Sequence, residues 1–178
     1  MSFIPEDYKP APTGGGYLKL SPGENRFRIL GSFKEGGAIM GTIGWKEGPE
    51  GPKPVRSPLG TPLKGDFRDK PKEFWAFIVW GYEAEAPQIL EITQTSIRGE
   101  LLTLFKDEEW GDPRAYDIRI VRTGDGMDTV YKVVPSPAAK FAHPEDAKKA
   151  LASINISALF EGDDPFAGGD SQPATDPF

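Results

Sequence analysis

The order of elements along this 178-residue chain predicts a mainly β fold. The expected form is a five-stranded, OB-like Greek-key barrel with one helix between strands 3 and 4, a short C-terminal helix and a disordered acidic tail. Three observations carry that expectation. Several short runs alternate apolar and polar residues, the period of a half-buried strand. One stretch switches to the helical period after the strongest strands. Gly and Pro contribute 21 and 18 residues, which predicts frequent turns without making the whole chain disordered. A doubly wound fold needs more helices and a β-sandwich does not need this one, so generic α+β is the fallback.

Residues 1–23 read as an extended arm. The segment carries three prolines before Gly14-Gly15-Gly16 and closes on a turn at Ser21-Pro22-Gly23. The domain proper spans 24–160. Residues 24–33 alternate, with Phe27 and Ile29 on one side and Arg26 and Arg28 on the other, so they form a strand. Lys34-Glu35-Gly36-Gly37 turns the chain into a second, Gly-rich strand over 38–45, where glycine implies a bend or the close approach of another backbone. Residues 46–72 hold six prolines and no period and read as a long loop. Residues 73–82 (EFWAFIVWGY) form the strongest strand, followed through a turn at 84–87 by an antiparallel partner over 88–92. The five-strand count requires these two runs to be one split third strand. Thr93 then caps a helix over 94–105, whose stripe is Ile97, Leu101, Leu104 and Phe105. Two further strands, 115–122 and 129–134, are joined by the hairpin Thr123-Gly124-Asp125-Gly126. Pro144 opens a short helix with Ala147, Ala150, Leu151 and Ile154 on one side. Residues 161–178 contain no core-forming material and read as a disordered tail.

Composition removes whole classes of chemistry. Cysteine is absent, which excludes disulfide scaffolds, Cys-ligated zinc and thiol catalysis. A single histidine, His143, leaves multi-imidazole zinc sites and most His-based triads without parts. There is no phosphate loop, nucleophile elbow or H-E-x-x-H motif. No run of about 18 apolar residues exists, and residues 1–9 have no signal-peptide core, so a cytoplasmic protein without a membrane partner is expected. Glu91 and Asp117 are the only acids placed as a two-metal nuclease would need, and one acid per strand is ordinary surface composition. The expectation is a non-enzyme with no cofactor and no metal.

Aromatic and charge patterning point to binding. Five of the nine residues from Phe74 to Tyr82 are aromatic. Side chains alternate along a strand, so Trp75, Phe77 and Val79 share an apolar face suited to the interior. Phe74, Trp80 and Tyr82 then stand outside, as stacking platforms for bases. The competing reading is that loop 46–72 or the C-terminal helix covers them. The net charge of −6 is unevenly spread, because residues 161–178 hold five acids and no base. Residues 53–72 carry Lys53, Arg56, Lys64, Arg68, Lys70 and Lys72 against Asp66 and Asp69, suited to neutralising phosphates. Arg26, Arg28 and Arg119 are outward cations that extend the track. No recognition helix is visible, which favours sequence-neutral binding of single strands over duplex readout. Asp-Pro-Phe occurs twice in the tail, at Asp164-Pro165-Phe166 and Asp176-Pro177-Phe178, and reads as a docking motif whose ring fills a partner's pocket.

Four stretches resemble the OB-fold single-stranded DNA-binding proteins of tailed bacteriophages. They are GENRFRIL (23–30), KEFWAFIVWGYEAEAPQILEITQTSI (72–97), WGDPRAYDIRI (110–120) and YKVVPSP (131–137). The end at 176–178 is similar to the acidic Pro-Phe tip of bacterial single-strand-binding proteins, which docks replication and repair enzymes. The resemblance implies coating of single-stranded DNA in phage replication, recombination or repair, inside the host cell. It also implies that Trp80 and Tyr82 line the DNA cleft, and that phage or host partner proteins are recruited through the tail. Some relatives carry a zinc site, which this Cys-free chain cannot build. The runner-up reading is an OB-fold adaptor that binds a protein or an oligosaccharide through the aromatic face. A metal-dependent nuclease is third.

Overall fold

The computed structural model describes residues 16–63 and 65–167. Over these residues the fold is mainly β, with seven antiparallel strands in one sheet and two α-helices. The strands are β1 (Gly23–Ile29), β2 (Ala38–Lys46), β3 (Lys53–Pro58), β4 (Lys72–Gly81), β5 (Ala86–Ile92), β6 (Asp117–Thr123) and β7 (Val130–Pro135). Helix α1 is Thr95–Lys106 and α2 is Pro144–Ser153. The strand order is β3-β2-β4-β1-β6-β7, with β5 on the other edge of β4.

Strand β4 organises this sheet. One of its edges is divided between two partners: residues 72–77 pair with β2 and 79–81 with β1. Its other edge pairs with β5 from Trp75–Ile92 to Gly81–Ala86. The two runs predicted as one split strand are therefore two members of a hairpin. The sheet has seven strands rather than five, is open rather than a closed barrel, and α1 follows the fifth strand rather than the third.

Helix α1 follows the predicted stripe, burying Ile97, Leu101 and Leu104. Its N-cap is Gln94 rather than Thr93, and no side chain caps it. Strand β3 lies inside the segment expected to be a loop. Its Pro54 and Pro58 break the pattern a strand normally shows, and both are tolerated because β3 ends the sheet, where no further strand needs their N–H groups.

Apolar layers cover both faces of the sheet. On one, Trp75, Phe77 and Val79 of β4 meet Phe27, Ile118 and the α1 stripe. On the other, Phe74, Ala76, Ile78 and Trp80 meet Ile39, Ile89, Ala150 of α2 and Leu159. Every residue from Phe74 to Gly81 is buried, so β4 offers no outward face. The expectation that Phe74 and Trp80 stand outside is overturned. Phe74 is 0 % exposed and Trp80 4 %. The cover is the competing one only in part: α2 contributes, together with Phe141, His143 and Phe160, while Arg56 of β3 lies over the Phe74 ring.

Both ends of the described chain also pack on this second face. Tyr17 bridges Ile89 in parallel along the outer edge of β5, through Leu18 N–H to Ile89 O and Ile89 N–H to Gly16 O. Packing continues past residue 160, through a 3-10 turn at Ile156–Glu161 and a left-handed Gly162 at φ 75°, to the buried Pro165. The segment expected to be wholly tail is thus part of the body as far as Phe166.

Candidate nucleic-acid interface

Three of the predicted contact residues converge on one buried carboxylate. Asp117 opens β6 directly opposite Arg28 of β1, and cross-strand pairing brings their side chains together. Arg28 Nε donates to Asp117 Oδ1 at 2.8 Å, and its Nη1 donates to the carbonyls of Arg114 and Ala139. Arg26 Nε donates to Asp117 Oδ2 at 3.0 Å, and the Tyr82 hydroxyl donates to Oδ1 at 2.7 Å. Burial of Asp117 works to raise its pKa, but the hydrogen bonds from Arg28, Tyr82 and Arg26 outweigh it and hold the carboxyl below its usual value. Burial, with the Asp117 bond behind it, pushes the Tyr82 phenol up to about 12.

This knot corrects the reading of β1. Arg28 is not an outward cation: its side chain is 4 % exposed and its guanidinium is consumed inside the body. Arg26 is half exposed, but it is tied to Asp117 and lies 4.9 Å over the Tyr82 ring. Arg119 is paired with Glu24 at 3.2 Å. Trp80, beside Arg28 in register, is roofed by the His143 imidazole at 4.3 Å and 16°, with Phe141 edge-on at 5.8 Å. A base cannot stack on an indole so covered.

The basic segment behaves differently. Lys53, Arg68, Lys70 and Lys72 are exposed and make no ion pair among the described residues; Lys64 lies outside those residues. Arg56, by contrast, grips Glu91 through Nε at 2.7 Å and Nη2 at 3.1 Å. The loop after β3 is anchored rather than loose. Arg68 N–H donates to the Trp45 carbonyl at 2.8 Å, and the Phe67 ring lies where a Cβ on Gly44 would stand 2.6 Å away. The close backbone approach expected of glycine in this strand is made at Gly41 by the Ser57 carbonyl, and at Gly44 a ring takes the same kind of space. Lys46 Nζ sits 5.3 Å over that same ring. Lys46 and Lys53, paired across the β2–β3 hairpin, and Arg68, whose N–H meets the Trp45 carbonyl, thus flank Trp45 along the chain; Trp45 itself is 43 % exposed, with its side chain on the strand face opposite Gly44 and Lys46. Trp45 is the residue sequence reasoning missed. It ends a Gly-rich strand with no aromatic neighbour, and the signal available was a lone tryptophan beside the basic run.

The inner Asp-Pro-Phe copy is folded onto the body. Phe166 N–H donates to Asp164 Oδ1 at 2.9 Å, the Pro165 carbonyl accepts Asn155 N–H at 2.8 Å, and the Phe166 ring meets Tyr17 edge-on at 5.7 Å. As a partner-docking motif it is not free; Asp176, Pro177 and Phe178 lie outside the described residues. Beside it opens a cleft of about 880 Å³, bounded by Lys19, Lys53, Arg56 and Tyr131 and by Asp163 and Asp164.

Both acids that a nuclease would need are engaged by arginines, Glu91 by Arg56 and Asp117 by Arg26 and Arg28. Among the described residues no helix is long and apolar enough to cross a membrane. Compared with models of known protein families and with curated proteins, the chain matches none.

Proposed function

We propose that this protein binds single-stranded DNA without regard to sequence, on the β2–β3 hairpin and the loop that follows it. One observation carries the reading: an exposed tryptophan, Trp45, stands on the hairpin beside a run of cations that make no ion pair among the described residues. The six ion-paired arginines at 26, 28, 56, 98, 114 and 119 have their charge answered within the body. Lys53, Arg68, Lys70 and Lys72 find no carboxylate partner among the described residues, which favours an outside polyanion. Glu47, Glu50, Asp66 and Asp69 share this surface without closing on any of these cations. Stacking on an exposed ring contributes about 1–3 kcal/mol per base and tolerates any base. Phosphate contacts add affinity that salt erodes. The resemblance to phage proteins extends the reading to coating single strands in phage replication, recombination or repair, with partners recruited through residues 176–178.

The test is a fluorescence titration with poly-dT, poly-rU and duplex over a salt series. Poly-dT should bind best. Trp45→Ala should weaken it by about 1–3 kcal/mol with unfolding unchanged. Replacing Arg68, Lys70 and Lys72 by Ala should flatten the log–log salt slope by about 0.7 for each true phosphate contact. A salt-independent affinity points instead to the adaptor reading, and no binding at any salt refutes the nucleic-acid reading.

A further inference from the structure

The tripeptide Asp-Pro-Phe stands at 164–166 and again at 176–178. In the first copy each residue has its own task. Asp164 caps the Phe166 N–H, Pro165 is buried, and the Phe166 ring occupies space that exists because residue 16 is glycine: a Cβ there would collide with the ring. The receiving side consists of Gly16, the Tyr17 ring and the Asn155 N–H, which meets the Pro165 backbone. Beyond the motif, main-chain bonds hold the inner copy, Asn155 N–H to Pro165 O and Asp163 N–H to Ala158 O, and neither depends on side-chain identity. The second copy offers the site the same three side chains, with Asp176 placed in sequence to cap the Phe178 N–H as Asp164 caps that of Phe166.

Reach is no obstacle. Phe178 lies eleven residues beyond Ala167, the last described residue. Fully extended, that length spans up to about 36–40 Å. A tether this short holds its end at an effective concentration in the millimolar range. The inner copy is also not sealed in place, since Phe166 is only partly buried.

We propose that the Gly16–Tyr17 site is a receptor for Asp-Pro-Phe segments, and that residues 176–178 of this same chain enter it when the inner copy leaves. The two copies exchange on one site, and whichever is out is free for another protein. The exchange also changes the adjoining cleft, because Asp163 and Asp164, which line it beside Lys19, Lys53 and Arg56, depart with the inner copy. The proposal does not depend on DNA binding.

A double-mutant cycle on the full chain tests it. Phe178→Ala alone should leave the melting temperature unchanged, because the inner copy holds the site. Phe166→Ala should lower it slightly, because the outer copy substitutes. The double variant should fall at least about 4 °C below the sum of the two single effects. A synthetic peptide of residues 171–178 should then raise the melting temperature of the double variant and shift the NMR signals of Tyr17, whereas the same peptide ending in Ala should do neither. Additive effects, failure of Phe166→Ala alone to fold, or a peptide that moves neither readout in a folded double variant would each overturn the proposal. A double variant that fails to fold while Phe166→Ala folds shows the same coupling and supports it.

Discussion

Replacing Trp80 by Ala separates a roofed core residue from an open stacking platform. Trp80 is 4 % exposed, with the His143 ring parallel to it at 4.3 Å and Phe141 at 5.8 Å. It lies near the end of the strand that joins β1, β2 and β5. Truncating a buried Trp to Ala removes its transfer free energy and leaves a cavity, a loss of about 3–5 kcal/mol. For a chain of this size each kcal/mol lowers the melting temperature by about 2–4 °C, so a fall of about 6–20 °C is expected. Far-UV circular dichroism during heating reads it. Affinity for poly-dT, measured where the variant is still folded, should stay within about threefold of the parent, since 1–3 kcal/mol of lost stacking would cost about 5–150-fold. A variant that melts with the parent but binds tens of times more weakly would refute the reasoning, because His143 would then be a movable cover and Trp80 a platform.

Asp117→Asn strands the buried Arg28 charge and should destabilise the fold by about 3–5 kcal/mol in urea unfolding. The folded-state pKa of Asp117 is depressed, so its stabilisation is complete above the unfolded value near 4 and is lost as the pH falls through the folded value; Asp117→Asn should flatten the acid limb of a stability–pH curve. Tyr82 and Tyr116 are both pushed up to about 12 by burial, with the Asp117 bond adding at Tyr82, so an alkaline absorbance titration should show a late step that Tyr82→Phe reduces. A single step near pH 10 would contradict it. Gly44→Val places side-chain atoms in the Phe67 ring and should free the loop after β3, read as faster trypsin cleavage after Arg68 with little change in the far-UV spectrum.

Elements governed by local pattern were legible in the sequence. The α1 stripe follows from spacing alone, and so do Phe27 and Ile29 facing inward. What failed were inferences that needed a partner. Arg28 occupies an alternating position that reads as outward, yet Asp117 stands across from it in a strand about ninety residues later, and that register cannot be read from one sequence. Strand alternation divides the run from Phe74 to Tyr82 into an inner and an outer face. A continuous apolar run fits burial on both sides equally well, and the cover here comes from distant residues, Phe141, His143 and Phe160. Strand β3 was hidden by its prolines. Among the candidate site residues, Arg68, Lys70 and Lys72 are exposed as expected, whereas the exposed tryptophan near them in the fold is Trp45 rather than Trp80.

The strip of chain at Tyr17 and Leu18 bears on solubility as well as on packing. Strand β5 carries Ile89, Leu90 and Ile92, and with β4 on one side its other edge would be an unpaired template for any passing strand. Two main-chain hydrogen bonds from this strip shield that edge, and the strip is itself pinned by the Phe166 ring against Gly16 and Tyr17. The hazard grows with concentration, because edge-to-edge pairing is bimolecular. Crowding many copies together would raise it most, so the aromatic ring at 166 serves as a guard against fibrous self-association as much as a source of folding stability.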